Sequence, residues 1–573
     1  MKSKTISAAK SSTHTIGALL RLADGSPCPG IVALPEQLAE CDVSDVVHDS
    51  RLAGPGSLFF AIAGHQSDGH EYAAQALETG AVAVVAQKPI PAVATLDAQM
   101  GMDRLILVED SRVALACAAA TFYGHPGNDL NISGVTGTNG KTTTIYLIDS
   151  IARAAGEQSG VIGTVETRYL FPTNDATDSP GAAGDDTTRA DSLREHVQSC
   201  ATTTPDALAL QKLFAQMRDA GVQSVAMEVS SHAIDMHRVE QTPFAAAAFT
   251  NLSQDHLDYH HTMEEYRRVK ERLFFEFETR ARIVNVDDSV GAKLAARLAS
   301  EGTEVIRVGI EEESADKRAL DIAASNLVLG SHTTQFSLRT LAGEVQIEFP
   351  LVGRYNVENA LVAAACAWSR GISLDAIADG LSQAPQVPGR LEQIESSQDF
   401  KIFVDYAHTP DALATALAAL REQAQGRVIA VFGCGGDRDP LKRPLMARAA
   451  AKGSDYVVIT SDNPRSEDPA NIVADVCRGL SSSETKFDAI VDRREAIFHA
   501  VASAQPGDCI LIAGKGHEDY QIFADGTIHF DDAQVAREAL EALTARNSAE
   551  LNEIRGVHKV TQNKLKGSEG SRS

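Results

Sequence analysis

The stretch Gly134-Val135-Thr136-Gly137-Thr138-Asn139-Gly140-Lys141-Thr142-Thr143-Thr144 limits what this chain can fold into more than any other. An apolar lead-in (Leu130, Ile132) precedes it and a helical pattern (Tyr146, Leu147, Ile148, Ile151) follows. That order predicts a strand, a Gly-rich turn and a helix start, where a nucleotide phosphate sits. Glycines let the backbone approach, N–H groups at the helix N-terminus supply positive potential, and Lys141 adds a full charge. Gly137, Thr138, Asn139, Gly140, Lys141, Thr142 and Thr143 are therefore candidate phosphate contacts, and the Thr142 hydroxyl suits magnesium. The spacing departs from G-x-x-x-x-G-K-[ST], because Val135 stands where that pattern has its first Gly. The tighter Thr-Gly-Thr-Asn-Gly-Lys-Thr loop does the same work; a Gly-rich turn with an incidental lysine is the alternative.

A chain of 573 residues holds about three or four domains. No apolar run approaches the roughly 20 residues a membrane span needs. The polar N-terminus lacks the apolar core of a secretory signal, so a cytoplasmic protein is expected. The eight cysteines are scattered without metal-like spacing and read as reduced thiols. A net charge of −25 argues against a nucleic-acid surface. It leaves anionic substrates open, provided local Arg, Lys and N–H groups build the site.

The fold class expected is α/β. Residues 1–22 read as a flexible leader and 23–127 as a smaller N-terminal α/β unit ending at Gly124-His125-Pro126-Gly127. Over 128–387 helices and strands alternate, which predicts a mostly parallel, doubly wound sheet. Within it, 171–194 is rich in Asp, Thr, Gly and Ala and reads as a solvated, disordered insertion, with a lid as the alternative. A third α/β unit spans 388–545, and 546–573 is a polar tail.

Open α/β sheets bind ligands at the C-terminal ends of their strands. Glu228 in Met227-Glu228-Val229-Ser230-Ser231-His232 ends the apolar run Ser224-Val225-Ala226. It either ligates a nucleotide-bound metal or faces solvent. Asp255, His256, Asp258 and His260 follow another strand and offer metal or phosphate contacts, as an ordinary surface turn also would. Lys270 lies three before Leu273 and four before Phe274, on the apolar edge of a helix. Most such lysines snorkel, but one held near metal ions has a depressed pKa and can react. In the third unit four strand ends carry polar loops, beginning at Asp405, Gly433, Asp462 and Gly514. Four on one edge mark a binding face. Arg438 and Arg465 suit carboxylates, and Asp462 and Glu518 suit ammonium groups, so an amino acid satisfies all of them.

These motifs, in this order, resemble the Mur ligase family, ATP-dependent amino-acid ligases of peptidoglycan precursor synthesis. The resemblance runs from about Val46 to about Ala545. It rests on Gly137-Thr-Asn-Gly-Lys-Thr-Thr, Glu228-Val-Ser-Ser-His, Asn251-Leu-Ser-x-Asp-His-Leu-Asp-Tyr-His, Gly353-Arg-Tyr-Asn-Val-x-Asn, Asp405-Tyr-Ala-His-Thr-Pro and Gly514-Lys-Gly-His-Glu. Asp462-Asn463-Pro464-Arg465 is the stretch that diaminopimelate-adding members carry. The resemblance implies three domains: an N-terminal one for a UDP moiety, a central P-loop-type ATPase and a C-terminal Rossmann-like one. It also implies a monomer whose substrates are UDP-MurNAc-dipeptide, meso-diaminopimelate and ATP, with an acyl phosphate on the way to product.

Carried over, Lys141, Lys270 and His256 are the catalytic positions. Thr142, Glu228, His256 and Lys270 as a carbamate are the Mg2+ ligands, and Asn356, Arg390 and Asp405 meet the nucleoside of ATP. His48, Ser50, His65, Gln66 and Ser67 match the uridine site, and Thr203, Thr204, Ser230 and Arg238 the muramoyl-peptide site. Arg438, Asp462, Asn463, Arg465, Gly514 and Glu518 match the diaminopimelate pocket. Met236 departs from the pattern, standing where many such members have Gln, and a thioether cannot replace an amide's donor and acceptor. The nearest alternative is the same ligation with L-lysine, which would leave Arg465 without a carboxylate. Folylpolyglutamate synthetase shares the ATPase core but lacks the N-terminal unit. A silent nucleotide-binding regulator is the alternative from another class, and Lys141, Glu228, His256 and Lys270 speak against it.

Overall fold

A computed structural model describes residues 14–64, 67–100, 103–172, 193–198, 202–311, 320–330, 333–481 and 483–546. Three α/β units follow one another, each built on its own sheet. In the first, Asp45–Val47, Ser57–Phe60, Ala83–Ala86 and Leu105–Val108 run parallel, and Ile31–Ala33 joins antiparallel at the edge. The third unit has six strands, from Glu392–Ile394 through Lys401–Asp405, Cys509–Ala513, Val428–Cys434 and Tyr456–Ser461 to Lys486–Ala489. All of its pairings but the first are parallel.

The middle sheet has eleven strands. Its parallel heart runs Ser159–Ile162, Ser224–Glu228, Asn131–Thr136, Phe244–Phe249, Thr279–Asn285, Ile306–Ile310 and Ile322–Leu329. The strand that leads into the Gly-rich loop is thus flanked by the strands that end at Glu228 and Phe249, so three loops leave the sheet side by side. The strand Phe244–Phe249 is wholly buried, with a run of four alanines that lets covering helices sit close. The mostly parallel sheet expected from the βα alternation is present. Antiparallel strands extend it at both edges: Thr167–Pro172 with Leu193–Gln198, and Thr334–Thr340 with Gly343–Phe349.

Two segmental expectations need correcting. The leader over 1–22 does not extend to residue 22: His14–Thr15 pairs with Asp42–Val43, and Ile16, Leu19 and Leu20 are buried in the N-terminal core. Gly17 lets the two segments pack closely, since a Cβ there would lie 3.0 Å from the Ala39 carbonyl oxygen and push it back. Residues 1–13 lie outside the described residues. The polar insertion over 171–194 is likewise shorter at both ends, because Phe171 pairs with Arg194 and Pro172 with Leu193. Leu193–Gln198 is the edge strand of the sheet, and its Glu195 meets Arg153 at 3.5 Å and Arg168 at 3.7 Å. The remainder, 173–192, and the tail 547–573 lie outside the described residues. Among the described residues no helix is long and apolar enough to cross a membrane.

Candidate functional site

The loop between Asn131–Thr136 and the helix Lys141–Ala154 is shaped by two glycines. Gly137 (φ 148°) would place a Cβ 2.0 Å from Thr250 Oγ1, and Gly140 (φ 86°) one 2.2 Å from Asn359 Oδ1. No side chain fits either position. The 250–253 turn holds the loop from outside. Thr138 N–H donates to the Asn251 carbonyl (2.9 Å), Asn139 N–H to Asn251 Oδ1 (2.9 Å) and Thr250 Oγ1 to the Asn139 carbonyl (2.7 Å).

Two lysines meet over this loop. Lys141 Nζ donates to the carbonyls of Gly137 (3.1 Å) and Thr138 (2.8 Å), and Lys270 Nζ to that of Gly137 (2.8 Å). Lys270 is 2% exposed and lies 4.7 Å over the Tyr266 ring. Burial first, then the neighbouring Lys141 charge, pushes the Lys270 pKa well below the usual lysine range; burial also lowers that of Lys141. Glu228, 1% exposed, ends the next strand. Its carboxylate accepts from Thr142 Oγ1 (2.9 Å), Thr164 N–H (2.8 Å) and Thr164 Oγ1 (3.1 Å). Arg390 crosses from the third unit to donate to Thr142 Oγ1 (2.9 Å) and packs over the Tyr406 ring at 4.5 Å.

These groups line one cleft of about 390 Å³, together with Asn356, Asn359, Asp405 and His256. Asp405 accepts the N–H groups of Leu391 (2.6 Å) and Ala407 (2.7 Å) and so shapes the link between the units. His256 sits at φ 53°, its ring 3.3 Å from Asp255 and edge-on to His232, and burial pushes its pKa down to about 4. Among the described residues no three His, Cys, Asp or Glu side chains converge as a metal cluster.

A second cavity, of about 460 Å³, is lined by all six residues expected at the amino-acid pocket: Arg438, Asp462, Asn463, Arg465, Gly514 and Glu518. Asp255, His256, Tyr406 and His408 border both cavities. Beneath Glu518 lies Lys515, 0% exposed, with Nζ 3.2 Å from Glu518 Oε2, 3.3 Å from Asn463 Oδ1 and 3.9 Å from Asp462 Oδ1. Asn463 Nδ2 also donates to Glu518 (2.9 Å). Arg465, at φ 53°, donates to the Gly436 carbonyl (2.9 Å), which draws two of the polar loops together.

The residues expected at the muramoyl-peptide site gather on the other side of Glu228. Thr204 Oγ1 donates to the Glu228 carbonyl (2.9 Å), Ser230 N–H donates to Thr204 Oγ1 (3.2 Å), and the Thr203 and Thr164 hydroxyls lie 3.1 Å apart. Arg238 donates to the Thr204 carbonyl (2.9 Å) and reaches Met236 Sδ at 3.5 Å. His48 bridges from the N-terminal unit to Asp206 at 3.6 Å. Ser50 opens the turn Ser50–Leu52 and Ser67 is exposed; His65 and Gln66 lie outside the described residues.

Known proteins match this arrangement along most of its length. Residues 42–123 match the Mur ligase family catalytic domain, 135–367 the Mur ligase middle domain and 389–516 the Mur ligase glutamate ligase domain. The chain is 44% identical to UDP-N-acetylmuramoyl-L-alanyl-D-glutamate–2,6-diaminopimelate ligase of Geobacillus thermodenitrificans over 507 residues, 87% of this chain and 95% of the relative. The chain belongs to the Mur ligase family. It is also 42% identical to the Solibacter usitatus ligase of the same name over 511 residues, 89% and 95% of the two chains. A solved structure of a ligase so named superposes with a TM-score of 0.60 at 31% identity, over 89% of this chain and 97% of its own. The fold is shared with the MurF ligase of Thermotoga maritima in complex with ADP, at a TM-score of 0.56 and 17% identity over 88% and 98% of the chains.

Some groups that shape this Mur ligase's cavities escape motif reading. Thr164 holds both Glu228 oxygens from outside any motif. Asn359 and Lys515 stand inside motifs, at Gly353-Arg-Tyr-Asn-Val-x-Asn and Gly514-Lys-Gly-His-Glu, so their signal was present. Arg493 gave none. It is 0% exposed and paired with Asp532 at 2.6 and 2.7 Å. It donates to the carbonyls of Ser461 (3.1 Å) and Ala513 (3.0 Å), the residues directly before Asp462 and Gly514.

Proposed function

We propose that this Mur ligase joins meso-diaminopimelate to UDP-N-acetylmuramoyl-L-alanyl-D-glutamate, with ATP cleaved to ADP and phosphate, in cytoplasmic peptidoglycan precursor synthesis. The observation that carries the reading is the meeting of two cavities at Asp255, His256, Tyr406 and His408: one floored by a phosphate loop, the other by alternating Arg and carboxylate groups. A carboxylate is a poor electrophile until one oxygen becomes a good leaving group. The γ-phosphoryl group therefore passes to the free glutamate carboxylate, the diaminopimelate amine attacks the acyl phosphate, and phosphate departs. Lys141 offsets the charge that grows on the phosphoryl oxygens.

Asn356, Arg390 and Asp405 take the nucleoside side of ATP. Thr203, Thr204, Ser230 and Arg238 take the muramoyl-peptide, and His48, Ser50, His65, Gln66 and Ser67 the uridine end. Arg465 and Arg438 meet diaminopimelate carboxylates, while Asp462, Asn463, Gly514 and Glu518 surround its ammonium. The working units are an N-terminal one ending near 127, a central one over 128–387 and a C-terminal one over 388–545, acting as a monomer.

The donor set suits magnesium. Glu228 is a buried carboxylate whose described partners are hydroxyl and amide donors, with no cationic side chain within 4.0 Å among the described residues. Thr142, Glu228, His256 and Lys270 as a carbamate would hold the ion, which when bound supplies charge neutralisation at the phosphoryl oxygens. Burial favours the neutral Lys270 amine, the form that adds carbon dioxide. ATP-dependent ligation with meso-diaminopimelate and with L-lysine tests the reading; equal or better use of lysine overturns the choice of amino acid. Full activity in Lys270→Ala would remove the carbamate.

A further inference from the structure

The ligation proposed above leaves one proton without an acceptor. A free amino acid carries an ammonium group near neutral pH, and attack on an acyl phosphate needs the lone pair that this proton occupies. Two groups at the junction of the cavities, Asp255 and His408, have no part in the chemistry so far.

His408 follows the strand Lys401–Asp405 and borders both cavities. Its Nδ1 lies 2.8 Å from the Tyr406 carbonyl oxygen. A carbonyl oxygen only accepts, so Nδ1 carries the hydrogen and the neutral ring has a bare Nε2. Nε2 stands 4.0 Å from Asp255 Oδ2. The ring packs edge-on against Tyr406 at 4.6 Å, and Lys442 Nζ donates to the His408 carbonyl (3.2 Å), so its position is tied to two loops. The other charged and titratable groups around it are Asp405 on its own strand, Arg390 behind Tyr406, and His256 beside Asp255.

We propose that His408 is the general base that takes a proton from the attacking ammonium of the amino acid, with Asp255 stabilising the imidazolium that results. This rests on the acyl-phosphate reading. The ammonium passes one proton to Nε2, and the freed lone pair forms the C–N bond at the acyl carbon. The tetrahedral intermediate then breaks its C–O bond to the phosphoryl group, and the second amine proton leaves on hydrogen phosphate. His408, 34% exposed at its side chain, returns its proton to solvent.

Two nucleophiles distinguish this role from a structural one. Hydroxylamine is neutral near neutral pH and needs no base to attack an acyl phosphate. With UDP-muramoyl-dipeptide and ATP, His408→Gln should lose ligation to diaminopimelate by about 100-fold in kcat, with little change in KM. Its hydroxamate formation with hydroxylamine should stay within about twofold of the unaltered enzyme, since that attack needs no base. Asp255→Asn should show the same split at smaller amplitude. Retained ligation, or equal loss with both nucleophiles, overturns the assignment. If the unaltered enzyme forms no hydroxamate, the acyl phosphate itself fails and the base falls with it.

Discussion

The two cavities that meet at Asp255 and His408 are built by different means. On the nucleotide side the backbone does most of the shaping. Glycines admit close approach, a neighbouring turn holds the loop's main-chain groups with the Asn251 carbonyl and the Thr250 and Asn251 side chains, and Lys141 and Lys270 rest on carbonyl oxygens with no carboxylate within 4.0 Å among the described residues. On the amino-acid side, side chains of opposite sign hold one another. Lys515 pairs with Glu518, Arg493 with Asp532, and Arg443 with both Glu467 (2.8 Å) and Asp475 (2.9 Å). A triphosphate looks the same to every enzyme that uses it, so main-chain geometry suffices. Amino acids differ only beyond the α-carbon, and telling them apart takes fixed charges.

Substitutions should separate the two designs. The largest effect is expected from Lys141→Met, which should lower kcat by about 10³-fold in an ADP-release assay. Its thermal midpoint should change little, because the side chain is only half-buried and its ammonium has no carboxylate within 4.0 Å among the described residues. A comparable collapse of stability would break the contrast. Next, Arg493→Met leaves Asp532 buried and unpaired and should cost about 3–5 kcal/mol in denaturant unfolding. Adding Asp532→Leu should recover most of that loss, whereas a single-variant cost under about 1 kcal/mol would mean the pair is not what holds this wall. Smaller again, Arg465→Lys should raise the diaminopimelate KM by about 10- to 100-fold, the worth of about 1.5–3 kcal/mol of charged hydrogen bonds. The KM for ATP should not move.

The smallest effect lies at the join of the first two units. The Asp206 carboxylate, 3.6 Å from the ring, favours the charged imidazolium and raises the His48 pKa. Burial would raise that of Asp206, but the His48 contact and the Ala209 N–H bring it down. The His48 contribution is therefore full below the unfolded value of about 6.5 and is lost as pH rises through the higher folded value. The Asp206 contribution is lost as pH falls through the carboxylate range. Both side chains are partly exposed, so the pair is worth under about 1 kcal/mol. His48→Gln should flatten the thermal midpoint between pH values either side of the histidine range.

The nucleotide side was the more legible in the sequence. A strand, a Gly-rich turn and a helix start are declared by residues within a few turns of one another, and Glu228 stood at a legible strand end, whereas Lys270 was singled out by the family resemblance rather than by its spacing. On the amino-acid side the lining residues were legible as polar strand ends, but their supports were not. Arg493 and Asp532 are 39 positions apart, and no local period marks a buried ion pair. The edges were misread for a related reason. Ile16, Leu19 and Leu20 make too short an apolar run to announce a core element, and Leu193–Gln198 carries no clean alternation of apolar and polar residues to announce a strand.

By itself the sequence determined which chemistry stands at each strand end, because strand and helix periods are set by a handful of adjacent residues. Only the tertiary structure decided which ends face one another. Arg390 reaches Thr142 across 248 positions, and Thr142 reaches Glu228 across 86. A parallel sheet collects the C-terminal ends of its strands on one edge however far apart they lie in the chain. The packing of whole units then sets one such edge against another, and that depends on buried area and shape rather than on any spacing within the chain.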